Sequence, residues 1–146
     1  MKVRDILKGK ARDTITVRLE TKISEAMRLL IVNKISCLPV VNESANLLGI
    51  ISDKDIFNKI YDDPDNFRAS TVIDLMSKDL IVGVLDDEVS YIAGVMTNNR
   101  IRHIPIVENK QLTGLVSVGD VVKTQMENIQ IENRYLKQYI DGSYPG

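Results

Sequence analysis

Residues 33–41 of the chain read NKISCLPVV, and residues 99–107 read NRIRHIPIV, which repeats the pattern 66 positions later. The likeness continues from GIISDKDI at 49–56 to GLVSVGDV at 114–121, now with an offset of 65 positions. An internal repeat of this length indicates two copies of one supersecondary unit. Because a unit of about 60 residues buries too little surface to be robust alone, we expect the two copies to pack together and to leave a cleft between them.

The composition is that of an ordinary globular protein. The chain has 146 residues, of which 44% are hydrophobic and 27% charged, with a net charge of -1 at pH 7. It offers no basic surface for nucleic acid, and two Phe with no Trp leave few stacking platforms for single strands. A single cysteine, no N-terminal export segment and no 18-residue apolar run predict a cytoplasmic protein without a membrane partner.

Each copy is predicted to fold as β-α-β-β-α, which places the chain in the α/β (α+β) class. The alternating stretches at 14–17 and 80–84 are typical of strands, and apolar residues at helical spacing follow from Ile23 and from Val89. Ser24 or Thr21 could cap the first of these helices. Two short apolar runs on either side of a polar connection then predict a hairpin in each copy, and a second helix begins near 53 and near 118.

The predicted boundaries are 1–61 for the first copy, 62–70 for a linker, 71–126 for the second copy, and 127–146 for a C-terminal helix and tail. Amphipathic segments at 3–7 and 72–76 precede the two copies and extend the repeat. A coiled-coil-like seam continues the last helix, either for self-association or for docking on its own domain. Its residues are Val122, Met126, Ile129, Asn133, Leu136 and Ile140.

A hydroxyl and a carboxylate recur three residues apart where a strand gives way to a helix. Ser52 precedes Asp55 in the first copy, and Ser117 precedes Asp120 in the second. Taken singly, each pair is typical of a capping box. The same geometry also suits a nucleotide, because a helix N-terminus favours phosphate and a carboxylate accepts the paired hydroxyls of a ribose. Two such pairs facing one cleft favour nucleotide binding.

These motifs together resemble the cystathionine-β-synthase (CBS) domain. The resemblance rests on the motifs ISCLPVV and GIISDKD in the first copy and RHIPIV and GLVSVGD in the second. Residues 1–126 look like a stand-alone tandem pair, or Bateman module. In that family the cleft commonly holds an adenosine derivative. Adenine lies between apolar backbone, ribose on the Asp of the G-x-x-S/T-x-x-D motif, and phosphate on a hydroxyl and nearby basic side chains.

The resemblance implies two ligand-binding clefts in this chain. The main cleft would be formed by Ile15, Ile35, Ser36, Leu38, Arg102, His103, Leu115, Ser117, Gly119 and Asp120. The second cleft would be formed by Ser52, Lys54, Asp55, Ile81 and Ile101. Because Arg102 and His103 are matched in the first copy by uncharged side chains, the main cleft is expected to bind a phosphorylated ligand more tightly.

No catalytic motif such as G-x-S-x-G, G-x-x-x-x-G-K or H-E-x-x-H is present, and no metal site is expected. We therefore expect a regulatory, energy-sensing module rather than an enzyme. Its ligand would be AMP, ADP or ATP, with NAD or S-adenosylmethionine as further candidates, and it would act on an effector protein that the sequence does not identify. The resemblance also implies a homodimer through the helices at 23–32 and 89–99. The alternative is a dimeric adaptor that binds no ligand and uses its C-terminal helix.

Overall fold

The computed structural model describes residues 1–10 and 13–142, without the side chains of 128–136, 138 and 139. The first copy comprises α1 (Val3–Lys8), α2 (Ile23–Asn33), β1 (Cys37–Val41), β2 (Leu47–Ser52) and α3 (Asp53–Asp62). A single 3-10 turn, Phe67–Ala69, leads to the second copy. That copy comprises α4 (Val72–Leu75), α5 (Val89–Asn99), β3 (His103–Glu108), β4 (Gln111–Ser117) and α6 (Val118–Ile140). The architecture is α+β with two small antiparallel sheets.

The two hairpins are built alike. β1 pairs with β2 and β3 pairs with β4, both antiparallel, and the register shifts at the same point of each hairpin, after Val40 and after Ile106. The sharp connections use left-handed backbone, at Ala45 in the first copy and at Asn109 and Lys110 in the second. The hairpin and helix order of the predicted unit is therefore confirmed in both copies.

The opening strand of each copy is much shorter than predicted. Only one residue of each stretch forms a bridge, Val17 with Val40 and Gly83 with Ile106, both parallel. Two hydrogen bonds hold the first bridge, from the Val17 N–H to Pro39 O at 3.0 Å and from the Val41 N–H to Val17 O at 3.0 Å. The residues before the bridge do not pair because they leave the sheet to line a cavity.

The predicted side-chain cap of α2 is wrong. The residue at the cap position is Lys22, which makes no capping hydrogen bond through its side chain. The Thr21 hydroxyl instead accepts the Arg18 N–H at 3.1 Å, which closes the turn before the helix. α2 is held by its apolar face, since Ile23 and Ala26 are fully buried.

The short helices α1 and α4, which precede the two copies, each pack in the core of the opposite copy. Val3 and Ile6 of α1 belong to the same core as Ile92 and Ile104 of the second copy. Conversely, Val72 of α4 lies in the core of the first copy. Each copy thus completes the apolar core of the other, and the cleft between them has walls from both.

Close approach of backbone makes this exchange feasible. A Cβ atom on Gly114 of β4 would lie 2.7 Å from Leu7 Cδ2 of α1. A Cβ atom on Gly49 of β2 would lie 2.8 Å from both Met76 Sδ and Ser77 O, just after α4. The two equivalent glycines, Gly49 and Gly114, therefore leave the space in which α1 and the residues after α4 pack against the opposite copy.

The C-terminal seam is only partly described. Val122, Met126 and Ile140 lie on α6 with exposed side chains. Ile129, Asn133 and Leu136 lie outside the described side chains, so the seam stays a prediction.

Candidate functional site

Both Ser/Asp pairs form capping boxes at the start of a helix. At α6 the Asp120 N–H donates to Ser117 Oγ at 3.1 Å, and the Ser117 N–H donates back to Asp120 Oδ2 at 2.9 Å. At α3 the Asp55 N–H donates to Ser52 Oγ at 3.3 Å, and the Ser52 N–H donates to Asp55 Oδ2 at 2.9 Å. The boxes hold each carboxylate at the mouth of a cavity, so capping and ligand binding are compatible.

The first cavity lies between the copies and encloses about 550 Å³. One wall comes from the first copy and the other from β3, β4 and α6 of the second. Its lining consists of Lys10, Asp13, Thr14, Ile15, Lys34, Ile35, Ser36, Cys37, His103, Leu115, Ser117 and Asp120. The wall therefore combines apolar surface with both signs of charge, as a nucleoside phosphate would require.

An ion pair lies inside this cavity. Lys10 Nζ is 2.9 Å from Asp120 Oδ2 and also donates to Leu115 O at 2.7 Å. Burial on its own would raise the pKa of Asp120, but the hydrogen bonds from Ser117 and from Lys10 outweigh it and hold that pKa below its usual value. The carboxylate is therefore ionised at neutral pH and ready to accept hydrogen bonds.

The second cavity encloses about 380 Å³ and repeats the first by pseudo-symmetry. Its lining consists of Cys37, Ile50, Ser52, Lys54, Asp55, Ser77, Asp79, Leu80, Ile81, Arg100, Ile101, Arg102, His103 and Pro105. The run Lys34-Ile35-Ser36-Cys37 of the first cavity corresponds to Arg100-Ile101-Arg102-His103 in the second. Asp120 corresponds likewise to Asp55. The two sites thus share a plan and differ mainly in their basic side chains.

Most of the predicted lining residues are brought together. Seven of the ten residues predicted for the main cleft line the first cavity, and all five predicted for the other cleft line the second. Leu38, Gly119 and Arg102 do not line the first cavity. Leu38 is fully buried in the core of the first copy, because it alternates in β1 with Cys37, which faces the cavities. Gly119 has no side chain to offer and lies beside Ser117 in the first turn of α6.

Arg102 lies on the second cavity instead of the first. It precedes β3 directly and its neighbour His103 opens the strand, so the two side chains diverge. The Arg102 guanidinium then approaches Asp53 Oδ1 at 3.3 Å, across the boundary between the copies. Among the described residues, the basic groups of the first cavity with a charge at neutral pH are Lys10 and Lys34. The expected tighter binding of phosphate in the main cleft therefore has no support from Arg102.

His103 and Cys37 line both cavities and form the partition between them. His103 Nε2 is 3.3 Å from Ser36 Oγ of the other copy. Burial, followed by the charge of Arg102, lowers the pKa of His103. Burial and the nearby carboxylates of Asp55 and Asp53 raise the pKa of the Cys37 thiol to about 12. Both side chains are therefore uncharged at neutral pH.

Five lining residues of the first cavity escaped the sequence reasoning: Lys10, Asp13, Thr14, Lys34 and Cys37. Lys34 carried a signal, because its place in the repeat matches Arg100. It also ends α2 with left-handed backbone (φ 54°), as Arg100 ends α5 (φ 54°). Lys10 carried none, since it lies 110 positions from its partner Asp120.

Two regions of the chain, residues 3–62 and 72–127, match the sequence model of the CBS domain. The chain belongs to the CBS-domain family. The CBS domain-containing protein CBSX3, mitochondrial, from Arabidopsis thaliana is 29% identical over 150 residues, which cover 97% of this chain and 73% of the relative. The chain spans only 22% to 41% of three further curated relatives from Methanocaldococcus jannaschii, so the matched region is one part of those longer proteins.

Solved structures agree with the pair arrangement. The CBS-domain protein ATU1752 from Agrobacterium tumefaciens superposes with a TM-score of 0.80 at 30% identity, over 86% of this chain and 99% of that one. The CBS domain pair of protein MJ0100, in complex with 5-methylthioadenosine and S-adenosyl-L-methionine, gives a TM-score of 0.76 at 27% identity, over 88% and 98%. The chain is thus a tandem CBS pair.

Proteins made only of CBS domains are generally regulatory rather than catalytic, and some of the structural neighbours bind adenosine compounds. Within residues 1–10 and 13–142, no helix combines the length and apolarity needed to cross a bilayer. The same residues contain no cluster of His, Cys, Asp and Glu side chains suited to a metal ion.

Proposed function

We propose that the protein is an adenosine-nucleotide-binding regulatory module without enzymatic activity, and that both inter-copy cavities take this ligand. The observation that carries the proposal is the twofold occurrence of an ionisable carboxylate at a helix N-terminus, in a cavity with an apolar wall and basic groups. Asp120 and Asp55 would accept the ribose hydroxyls. Ile15 and Ile35 would flank the adenine in the first cavity, as Ile81 and Ile101 would in the second.

Phosphate groups would meet the basic side chains. Lys34 and Lys10 face the first cavity, whereas Lys54, Arg100 and Arg102 face the second. Guanidinium groups bind phosphate through paired hydrogen bonds, so the basic side chains among the described residues favour the second cavity for ligands with more phosphates. AMP, ADP and ATP are the ligands we put first, with NAD and S-adenosylmethionine next. The MJ0100 complex supports adenosine chemistry in a related pair.

The regulatory step would pass through α6. Its first turn carries Asp120, so a ribose bound there contacts the helix that leaves the pair at the C-terminus. A ligand can shift the arrangement of the two copies only by the difference in its affinity for two arrangements. We propose that this shift, in a homodimer joined through α2 and α5, modulates an effector protein in the cytoplasm. The name of the Arabidopsis relative instead specifies the mitochondrion.

A second candidate function is a constitutive dimeric adaptor. The observation in its favour is the exposed apolar surface of α6, where Val122 is 45% and Met126 is 53% exposed. Such an adaptor would bind its partner through α6 whether or not a nucleotide is present. The two functions differ in whether adenosine compounds bind at all.

The deciding experiment measures ligand binding to the purified protein. Any nucleotide carried through purification is released by heat and identified by mass spectrometry. Thermal unfolding is then followed with AMP, ADP, ATP, NAD and S-adenosylmethionine. A bound ligand raises the midpoint by mass action, with about 2.7 kcal/mol of stabilisation at 100 times its Kd. If none of the compounds raises the unfolding midpoint, the adaptor is favoured.

Matched substitutions assign the binding to the cavities. Asp120→Asn keeps an oxygen for the capping box but removes the negative charge and one acceptor, and Asp55→Asn does the same at the other cavity. We expect each variant to lose one binding step in calorimetry, with a weakening of about tenfold or more at that site, since hydrogen bonds to charged groups contribute about 1.5–3 kcal/mol. Loss of neither step would contradict the assigned ribose contacts.

A further inference from the structure

Lys10 occupies the carboxylate that the proposed ligand would need. It follows α1 and reaches into the first cavity, where its ammonium group is 2.9 Å from Asp120 Oδ2. A second hydrogen bond, 2.7 Å long, runs from the same nitrogen to Leu115 O. Both ends of the ion pair are partly shielded from water, with the Lys10 side chain 34% and the Asp120 side chain 22% exposed. The cavity thus contains its own counter-ion.

Within the described part of the chain, the second cavity has no equivalent of this contact. Asp55 Oδ2 accepts local hydrogen bonds, from the Ser52 N–H at 2.9 Å and from Ser52 Oγ at 3.1 Å. Among the described residues, no basic side chain forms an ion pair with Asp55. Lys54 lines the same cavity but is not paired with that carboxylate. Of the two corresponding carboxylates, Asp120 therefore forms an ion pair with Lys10, and Asp55 forms none with a described residue.

The cation makes binding at the first cavity depend on the phosphate of the ligand. Oδ2 of Asp120 already accepts from the Ser117 N–H and from Lys10, so a ribose that uses both oxygens of the carboxylate displaces the Lys10 ammonium group. Adenosine gives the displaced charge no new partner, so the lost ion pair weakens its binding. A nucleotide brings a phosphate, and the flexible four-carbon stem of lysine lets the ammonium group turn to it within the cavity.

We propose that Lys10 is a specificity-determining residue, an internal counter-ion through which the first cavity selects phosphorylated adenosine compounds over adenosine. This inference rests on the proposed function, because it takes Asp120 as the ribose acceptor. It assigns to Lys10 a role in discrimination rather than in affinity for every ligand.

The test compares Lys10→Met with its parent, both in an Asp55→Asn background so that the first cavity alone is titrated. Calorimetry with adenosine and with AMP gives two dissociation constants for each protein. We expect adenosine to bind about fivefold more tightly to Lys10→Met, which corresponds to about 1 kcal/mol. AMP should bind no more tightly than before, so the preference for AMP falls. Lys10→Arg, which keeps the charge, should retain the preference.

Lys8→Met, in the same background, is the matched control, because it removes one exposed positive charge from α1, close to Lys10, that lines neither cavity. It should leave the ratio of the two constants unchanged. An unchanged ratio in Lys10→Met, with the parent binding both compounds, would overturn the role of Lys10 and leave the proposed function standing. Failure of the unsubstituted protein to bind either compound would overturn both. Thermal unfolding of every variant shows that the comparison is made on folded protein.

Discussion

Among single residues, His103 is one of two side chains, with Cys37, that line both cavities. The charges around His103 are positive at Arg102 and Lys10 and negative at Asp53 and Asp120. The Ser36 hydroxyl lies 3.3 Å from its Nε2 atom. Burial is the largest influence and lowers the pKa of His103 below its usual 6.5. The folded protein therefore resists protonation at this position more than the unfolded chain does.

This shift predicts a loss of stability in mild acid. Between the usual value of 6.5 and the lower folded-state pKa of His103, the unfolded chain binds more protons, so the free energy of unfolding falls as the pH falls through that window. His103→Gln cannot titrate and should show a flatter dependence across the same range. Urea unfolding at a series of pH values measures both proteins. Parallel curves would show that His103 does not carry the effect.

The elements that follow from local sequence patterns were predicted, whereas contacts between distant segments were not. The 66-residue repeat defined the hairpins, the helices and the Ser/Asp junctions, since these depend on local pattern and capping chemistry. Strand alternation then decided which neighbours face the first cavity, so that His103 lines both cavities and Arg102 lines the second alone. The short bridges at Val17 and Gly83 and the contact of Lys10 depend on packing between distant segments, which no local pattern records.

α6 is the element on which the sensor and the adaptor differ most. Among its described side chains, the buried ones lie in the first two turns, where Val121 is 4% and Thr124 is 8% exposed. Deletion of residues 126–146 should therefore leave the fold and AMP affinity unchanged, while abolishing any effect on a regulated partner. Calorimetry and thermal unfolding measure the first outcome, and light scattering shows whether the oligomeric state depends on the deleted segment. Loss of nucleotide binding on deletion would contradict the separation of sensing from transmission.

The exchange of α1 and α4 makes the pair one folding unit at the scale of the whole molecule. α1 packs against β4 and α6 of the second copy, and Gly114 leaves space for Leu7 at that contact. Near Gly49 the opposing atoms include the backbone oxygen of Ser77, which also accepts the Ile50 N–H at 3.0 Å. A side chain can move away from an added methyl group more easily than a hydrogen-bonded backbone can.

Gly49→Ala should accordingly destabilise the protein more than Gly114→Ala, with overpacking costs of about 1–3 kcal/mol. The cost of Gly114→Ala should shrink when Leu7→Ala is added, because the smaller side chain vacates the space that the new methyl group enters. Urea unfolding of the two single variants and the double variant gives this coupling as a double-mutant cycle. Simple additivity would mean that Leu7 does not rest on Gly114. A measured coupling would instead show that Leu7 of α1 packs on β4 of the second copy in solution. That contact holds Lys10, which follows α1, beside the cavity between the copies.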